Sequence, residues 1–139
     1  MKKGEIYEGR VQEVLFPDKA IVVTDEGETA QVKYGIPGQK LRFRVKKKRK
    51  EKIGILLEIL EKSADETACL CEWAGKCGGC LYQTIPYEKQ LAIKEAQIKK
   101  MLDNGGTDYT FEGIVSSPVV SGYRNKVELT FGDSYMGGP

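Results

Sequence analysis

The chain has 139 residues, 40% hydrophobic and 30% charged, with no histidine. That suits one or two small domains with a modest core, and it excludes imidazole-dependent catalysis and any Cys/His metal site. The net charge of +2 hides a division: residues 1–50 carry 13 Lys+Arg against 7 Asp+Glu, whereas residues 51–139 carry 9 against 13. No apolar run approaches membrane-spanning length, and the basic start "MKKGEIYEGR" lacks the apolar stretch of a signal peptide, so a cytoplasmic protein without membrane association is expected.

In chain order, "EIYEGRVQEVLF" predicts a first strand. Its apolar positions change parity between Val11 and Val14, which predicts a bulge near Gln12. "KAIVVTD" and "ETAQVKY" flank "DEGE", where Gly27 suits a hairpin turn. After the loop "GIPG", "KLRFRVK" alternates, with Leu41, Phe43 and Val45 on one face and Arg42, Arg44 and Lys46 on the other. "KIGILLEIL" places Ile53, Ile55, Leu57 and Ile59 in phase as a last strand. About five short strands in roughly sixty residues predict a small Greek-key or OB-like barrel.

"SADE" from Ser63 is a capping-box match for a short helical turn at the entrance to a cysteine-rich segment. "PYEKQLAIKEAQIKKML" predicts a helix with Pro86 in its first turn, an apolar stripe of Tyr87, Leu91, Ile98 and Leu102, and an end at "DNGG". That stripe is expected to pack on the cysteine loop or the barrel. From Thr107 the pattern reads as strands and turns, with Val127, Leu129 and Phe131 alternating in "KVELTFG". The whole is mainly β with one helix (α+β).

All four cysteines lie between Cys69 and Cys80. Cys71, Cys77 and Cys80 form C-x5-C-x2-C, with Gly78 and Gly79 inside the closing pair. In a reducing compartment, clustered thiols point to metal or redox chemistry rather than disulfides. Glycines in such a turn let amide N–H groups face thiolate sulfurs, as at iron–sulfur clusters. Four thiolates also satisfy structural zinc, although a zinc site would typically show two separated C-x2-C pairs. Four unligated thiols are the third reading, with Cys69 and then Cys71 buried as small apolar residues.

The basic strand is the second candidate site. Lys40 to Lys50 holds eight cations in eleven residues. Arg42, Arg44, Lys46, Lys47, Lys48, Arg49 and Lys50 would present charge at one side of a barrel and give sequence-independent, salt-sensitive RNA affinity; a merely solvated edge strand is the bland reading. Tyr82 and Tyr87 are candidates for base stacking, with core packing favoured for Tyr87. Glu72, Glu88 and Glu95 offer no paired-carboxylate geometry.

"CEWAGKCGGCLYQTIPYEKQLAIK" resembles the C-x5-C-G-G-C-x-x-Q-x-x-x-Y-x-x-Q-L-x-x-K signature of the RNA 5-methyluridine methyltransferases, which methylate uracil C5 in ribosomal and transfer RNA. "GIPGQKLRFRV" and "ILLEILEKS" resemble the end of the TRAM domain that precedes that signature, and "SGYRNKVELTFG" the Tyr-Arg-Asn-Lys segment that follows it. The resemblance implies a TRAM barrel over residues 1–63, an iron–sulfur loop and helix over 64–104, and the start of a central β domain over 105–139. It implies a 4Fe–4S cluster held by Cys71, Cys77 and Cys80, with Cys69 an optional fourth ligand where the family uses a cysteine farther downstream; zinc is the alternative. It also adds Tyr123, Arg124 and Lys126 as RNA contacts, beside Asn125.

The family's S-adenosylmethionine-binding domain, nucleophilic cysteine and carboxylate base find no match in these residues. No strand is followed by a G-x-G turn, and no cysteine lies outside the cluster. The chain is therefore expected to be an N-terminal portion of such an enzyme, truncated or from a shortened gene. It would be inactive alone, monomeric, and bind ribosomal RNA ahead of transfer RNA, with S-adenosylmethionine a cofactor only of the full-length parent. A free-standing RNA-binding protein with structural zinc and a small electron carrier are the rivals.

Overall fold

The computed structural model describes residues 1–48, 51–74 and 79–128, with the backbone alone described at Lys47 and Lys48. Five strands form a closed barrel: β1 (Ile6–Leu15), β2 (Lys19–Val23), β3 (Thr29–Lys33), β4 (Lys40–Lys48) and β5 (Glu51–Glu61). They are ordered β1-β2-β3-β5-β4, and β4 closes on β1. All neighbours are antiparallel except β3 and β5, which run parallel through Gln31↔Ile53 and Val32↔Gly54. This is the small OB-like barrel that the strand spacing predicts.

Alternation builds the core. Val22 on β2, Val32 on β3, and Leu41, Phe43 and Val45 on β4 point inward and are all but fully buried. β1 supplies both Val11 and Val14, three residues apart, because its pairing with β2 shifts register between Val11 and Glu13. The bulge thus falls at Gln12, and without it one of these valines would face water. Gly27, at φ 78°, makes the β2–β3 turn.

Two sequence expectations change on folding. The in-phase row of β5 turns outward, with Ile55 49%, Leu57 43% and Ile59 43% exposed, while Gly54 and Leu56 face the interior. Gly54 is the reason: a Cβ there would lie 2.5 Å from Phe43 Cδ2 and 2.9 Å from Val32 Cγ2, so the inward position opposite Phe43 has no room for a side chain. Phe16, at the end of the first predicted strand, is 54% exposed and outside the core.

After β5, Ser63 and Glu66 close a single turn. Glu66 Oε1 accepts from Ser63 N–H at 2.7 Å, and Glu66 N–H donates to the Ser63 carbonyl. This is the Ser-to-Glu half of a capping box without a following helix. The one helix of the described residues, α1 (Tyr87–Asn104), starts after Pro86, which sits at the N-cap, and ends at Gly105.

The face of α1 that meets the barrel is not the predicted stripe. Ile93 packs against the core and Gln97 is 6% exposed, whereas Ile98 and Leu102 are 40% and 39% exposed. Gln97 Nε2 donates to the Val14 carbonyl at 3.1 Å and to Tyr82 Oη at 3.2 Å, so an amide, not an aliphatic side chain, fastens the helix to β1.

Residues 107–128 form no strand or helix, in contrast to the strands predicted there. They are almost wholly exposed, and their fixed contacts go to α1 rather than to a sheet edge: Tyr109 Oη donates to Asp103, Lys99 lies over the Phe111 ring, and Ser117 N–H donates to Tyr87 Oη at 2.7 Å. Without a neighbouring strand, an alternating sequence has no ladder to join. Leu129 and Phe131 lie outside the described residues. No helix among the described residues is long and apolar enough to cross a membrane.

Candidate functional site

The basic strand divides into committed and free cations. Arg42 is committed. Its Nε and Nη2 donate to Glu8 Oε1 on β1 at 3.0 and 2.9 Å, and its Nη1 donates to Glu58 on β5 at 2.7 Å. Glu8 beside it raises the guanidinium's pKa above its ordinary value, so Arg42 ties three strands together with its charge already matched. Arg44 and Lys46 are exposed and have no ion-pair partner among the described residues. They pair in register with Ile55 and Ile53 of β5, and Arg44 also with Ile6 of β1, which is 52% exposed. Arg44 therefore stands between the exposed Ile6 and Ile55 and Lys46 beside the half-buried Ile53, a surface of charge and apolar contact together. The side chains of Lys47 and Lys48, and all of Arg49 and Lys50, lie outside the described residues.

Gln83 bridges two of the thiols, those of Cys69 and Cys80. The Cys69 thiol donates to Gln83 Oε1 at 2.8 Å, and Gln83 Nε2 donates toward Cys80 Sγ at 3.9 Å. Cys71 N–H points at Cys69 Sγ at 3.5 Å. The neck of the segment is closed by Thr67 N–H to the Thr84 carbonyl at 2.6 Å. Cys69 and Cys80, eleven residues apart in sequence, thus share one amide. Cys77 lies outside the described residues, and among those described no group of three Cys, Asp or Glu side chains is placed to hold a metal ion. Thiol sulfurs with N–H groups aimed at them, and no imidazole, are the donor set that a soft, thiolate-bound centre would require.

Tyr82 is 8% exposed with Gln97 on its hydroxyl, and burial pushes its phenol pKa up; it is a core residue, not a stacking platform. Tyr87 holds the 107–128 segment. Tyr123 is 64% exposed, and Lys126 pairs with Glu128 at 3.0 Å. Arg124 is likewise exposed.

Sequence reasoning placed Gln12 at the bulge but gave no role to it or to three further glutamines, Gln39, Gln83 and Gln97. Gln39 is 1% exposed, accepts from Ile36 N–H and donates to Glu66, joining the β3–β4 loop to the turn after β5. At Gln97 the local pattern gave little signal, because Ile93 and Met101 share its face of α1 with Lys94 and Lys100; its burial as a hydrogen-bond anchor is set by Val14 and Tyr82.

A scan against protein-family models finds no match. Among curated proteins, the chain is similar to an uncharacterized RNA methyltransferase of Clostridium tetani, 42% identical over 140 residues that cover 99% of this chain and 30% of the relative. A second, from Caldanaerobacter subterraneus subsp. tengcongensis, is 42% identical over 139 residues, 99% of this chain and 31% of the relative. The chain is homologous to a portion of proteins named RNA methyltransferases. A more distant match, named an uncharacterized RNA methyltransferase of Nanoarchaeum equitans, is 34% identical over 103 residues, 73% of this chain and 22% of the relative. The chain spans less than a third of the length of these curated relatives, so the similarity reaches one portion of each.

Proposed function

We propose that this chain is the RNA-binding and iron–sulfur portion of an S-adenosylmethionine-dependent RNA (uracil-5-)-methyltransferase, with residues 1–63 the RNA-binding barrel, 64–104 the thiol loop and helix, and 105–139 the start of a further β domain. The observation that carries the reading is 42% identity along 99% of the chain to proteins named RNA methyltransferases. Uracil C5 as the target rests on the Cys-Gly-Gly-Cys signature from Cys71 to Lys94 and its flanks, and ribosomal RNA is proposed ahead of transfer RNA.

The role of these residues is to hold RNA. Arg44 and Lys46, unopposed by carboxylates among the described residues, attract phosphate, and the aliphatic side chains beside them exclude water from the contact. Lys47, Lys48, Arg49 and Lys50 extend the same charge in sequence, and Tyr123, Arg124 and Lys126 are further contacts in this reading. Arg42 serves the barrel. Cys71, Cys77 and Cys80 would hold a 4Fe–4S cluster with Cys69 beside them; such a cluster would supply a rigid crosslink for the loop that carries Gln83. The methyl donor would bind in a part of the enzyme beyond these residues.

Filter binding of single-stranded RNA across a salt series tests the RNA reading. Reversing Arg44 and Lys46 to Glu should cut affinity more than tenfold and flatten the salt dependence by about 0.7 per lost phosphate contact. Affinity unchanged by the reversal would reject the basic-strand interface. Iron and zinc analysis of anaerobically purified protein, with its visible absorbance, tests the thiol site, and a zinc content matching the protein with no colour would replace the cluster by zinc.

A further inference from the structure

We propose that the groove between α1 and the barrel is a second RNA contact, one that takes an unpaired base rather than a phosphate; the inference rests on the RNA-binding reading above and deepens it. The groove has a volume of about 320 Å³, at the small end of the roughly 300–1,000 Å³ range of small-molecule sites. Its walls are apolar: Val14 from β1, Ile36 and Pro37 from the β3–β4 loop, and Ile85 and Ile93 from the α1 side. Ala92 and Ala96, one turn apart on α1, give the slot its width.

The charges of the rim cancel. Lys100 pairs with Glu13 at 2.6 Å and Lys89 with Asp65 at 3.3 Å. A phosphate entering there would meet a carboxylate beside each ammonium, whereas a flat, neutral heterocycle meets apolar walls and balanced edges.

Two amides supply what a base edge requires. Gln12 lines the groove, is exposed and has no hydrogen-bond partner among the described residues. It sits where the β1–β2 register shifts, the kind of bulge that re-aims a side chain. Its amide offers one acceptor and two N–H groups, matching the donor–acceptor edges of bases. At the floor, Gln97 gives its Nε2 to Val14 and Tyr82, which leaves its carbonyl oxygen as an acceptor on the lining.

The position also suits a single strand. Arg44 stands opposite Ile6, and Gln12 lies six residues along β1, about 20 Å at roughly 3.3 Å per residue. A single strand of the roughly 4–16 nucleotides that OB-type barrels engage is long enough to span that distance. A strand held by phosphate at Arg44 and Lys46 reaches the groove with a base free to enter.

The test compares two single-stranded probes of about ten nucleotides, oligouridylate and an abasic strand of equal length and charge, binding to the full chain. The wild type should prefer oligouridylate about tenfold. Ala96→Phe, which fills the slot, should abolish that preference while leaving abasic binding and its salt dependence unchanged, and Gln12→Ala should reduce the preference severalfold. An Ala96→Phe protein with a wild-type melting curve and an undiminished preference would overturn the inference and leave the RNA reading standing. If that variant does not fold, Gln12→Ala, at an exposed position, decides: an undiminished preference again overturns it. Failure of the wild type to bind either probe would overturn the RNA-binding reading itself and this inference with it.

Discussion

In the barrel every strand has two hydrogen-bonded neighbours and an inward row of side chains meeting others from across the interior. Between Ser63 and Pro86 the backbone is held at isolated points instead: Glu66 to Ser63, Thr67 to Thr84, Ala74 to Cys71 and Ile85 to Tyr82 among the described residues. The barrel closes on itself and buries Val, Leu and Phe side chains in its interior. The thiol segment contributes Tyr82 and Ile85 to that core at its far end, while Cys69 and Cys71 stay half-exposed and Cys80 exposed. The thiol loop beside the closed barrel is where a metal crosslink would have the greatest leverage, because its described residues are held by the backbone at few points.

The largest effect should come from the barrel interior. Phe43→Ala should lower unfolding free energy by about 3–5 kcal/mol, since Phe43 is fully buried and Gly54 leaves no neighbouring Cβ to fill the cavity. Urea unfolding followed by circular dichroism measures it, and a loss below about 1 kcal/mol would show that the interior is looser than its geometry. Gln97→Leu should cost about 1–3 kcal/mol by leaving the Val14 carbonyl and the Tyr82 hydroxyl without their donor. Hydrogen exchange should then quicken along α1 and hold steady in β2 to β4; uniform quickening would mean that helix and barrel unfold as one unit.

A smaller, pH-dependent effect belongs to the barrel's surface carboxylates. Lys52, and the Met1 amine with it, holds the Glu28 carboxyl below its ordinary value of 4.5, and Arg10 does the same for Glu61. A depressed folded-state pKa contributes stability that is fully present above the unfolded value and disappears as pH falls through the folded one. The melting temperature should therefore drop as pH is lowered through and below 4.5, and Glu28→Gln with Glu61→Gln should make that drop shallower. An unchanged acid profile in the double variant would show that solvent screens both pairs.

The smallest effect on the barrel, and the sharpest contrast with it, is expected from Cys77→Ser with Cys80→Ser. The barrel's urea midpoint should stay within error of the wild type, while bound metal is lost and limited proteolysis cuts more readily between residues 64 and 86. A midpoint that moves with the cysteines would couple the two regions and undo the distinction.

The candidate sites were legible in unequal measure. Cysteine spacing marked the thiol segment, but Gln83's simultaneous hold on Cys69 and Cys80 depends on the loop closing at Thr67 and Thr84. The cationic strand was plain in the sequence. The neutralisation of Arg42 was not, because its carboxylates lie 34 and 16 residues away, at Glu8 and Glu58.

By itself the sequence determined the local periods: alternation in β1 to β4, a bulge at Gln12 forced by Val11 and Val14, the Gly27 turn, and a helix from Tyr87. Periodicity names a face without naming what that face meets. Tertiary structure decided that the aliphatic row of β5 looks outward, because Phe43 fills the space in front of Gly54, and that α1 presents Ile93 and Gln97 to the barrel rather than Ile98 and Leu102. Both choices follow from register and volume between residues distant in the chain, which no local pattern encodes.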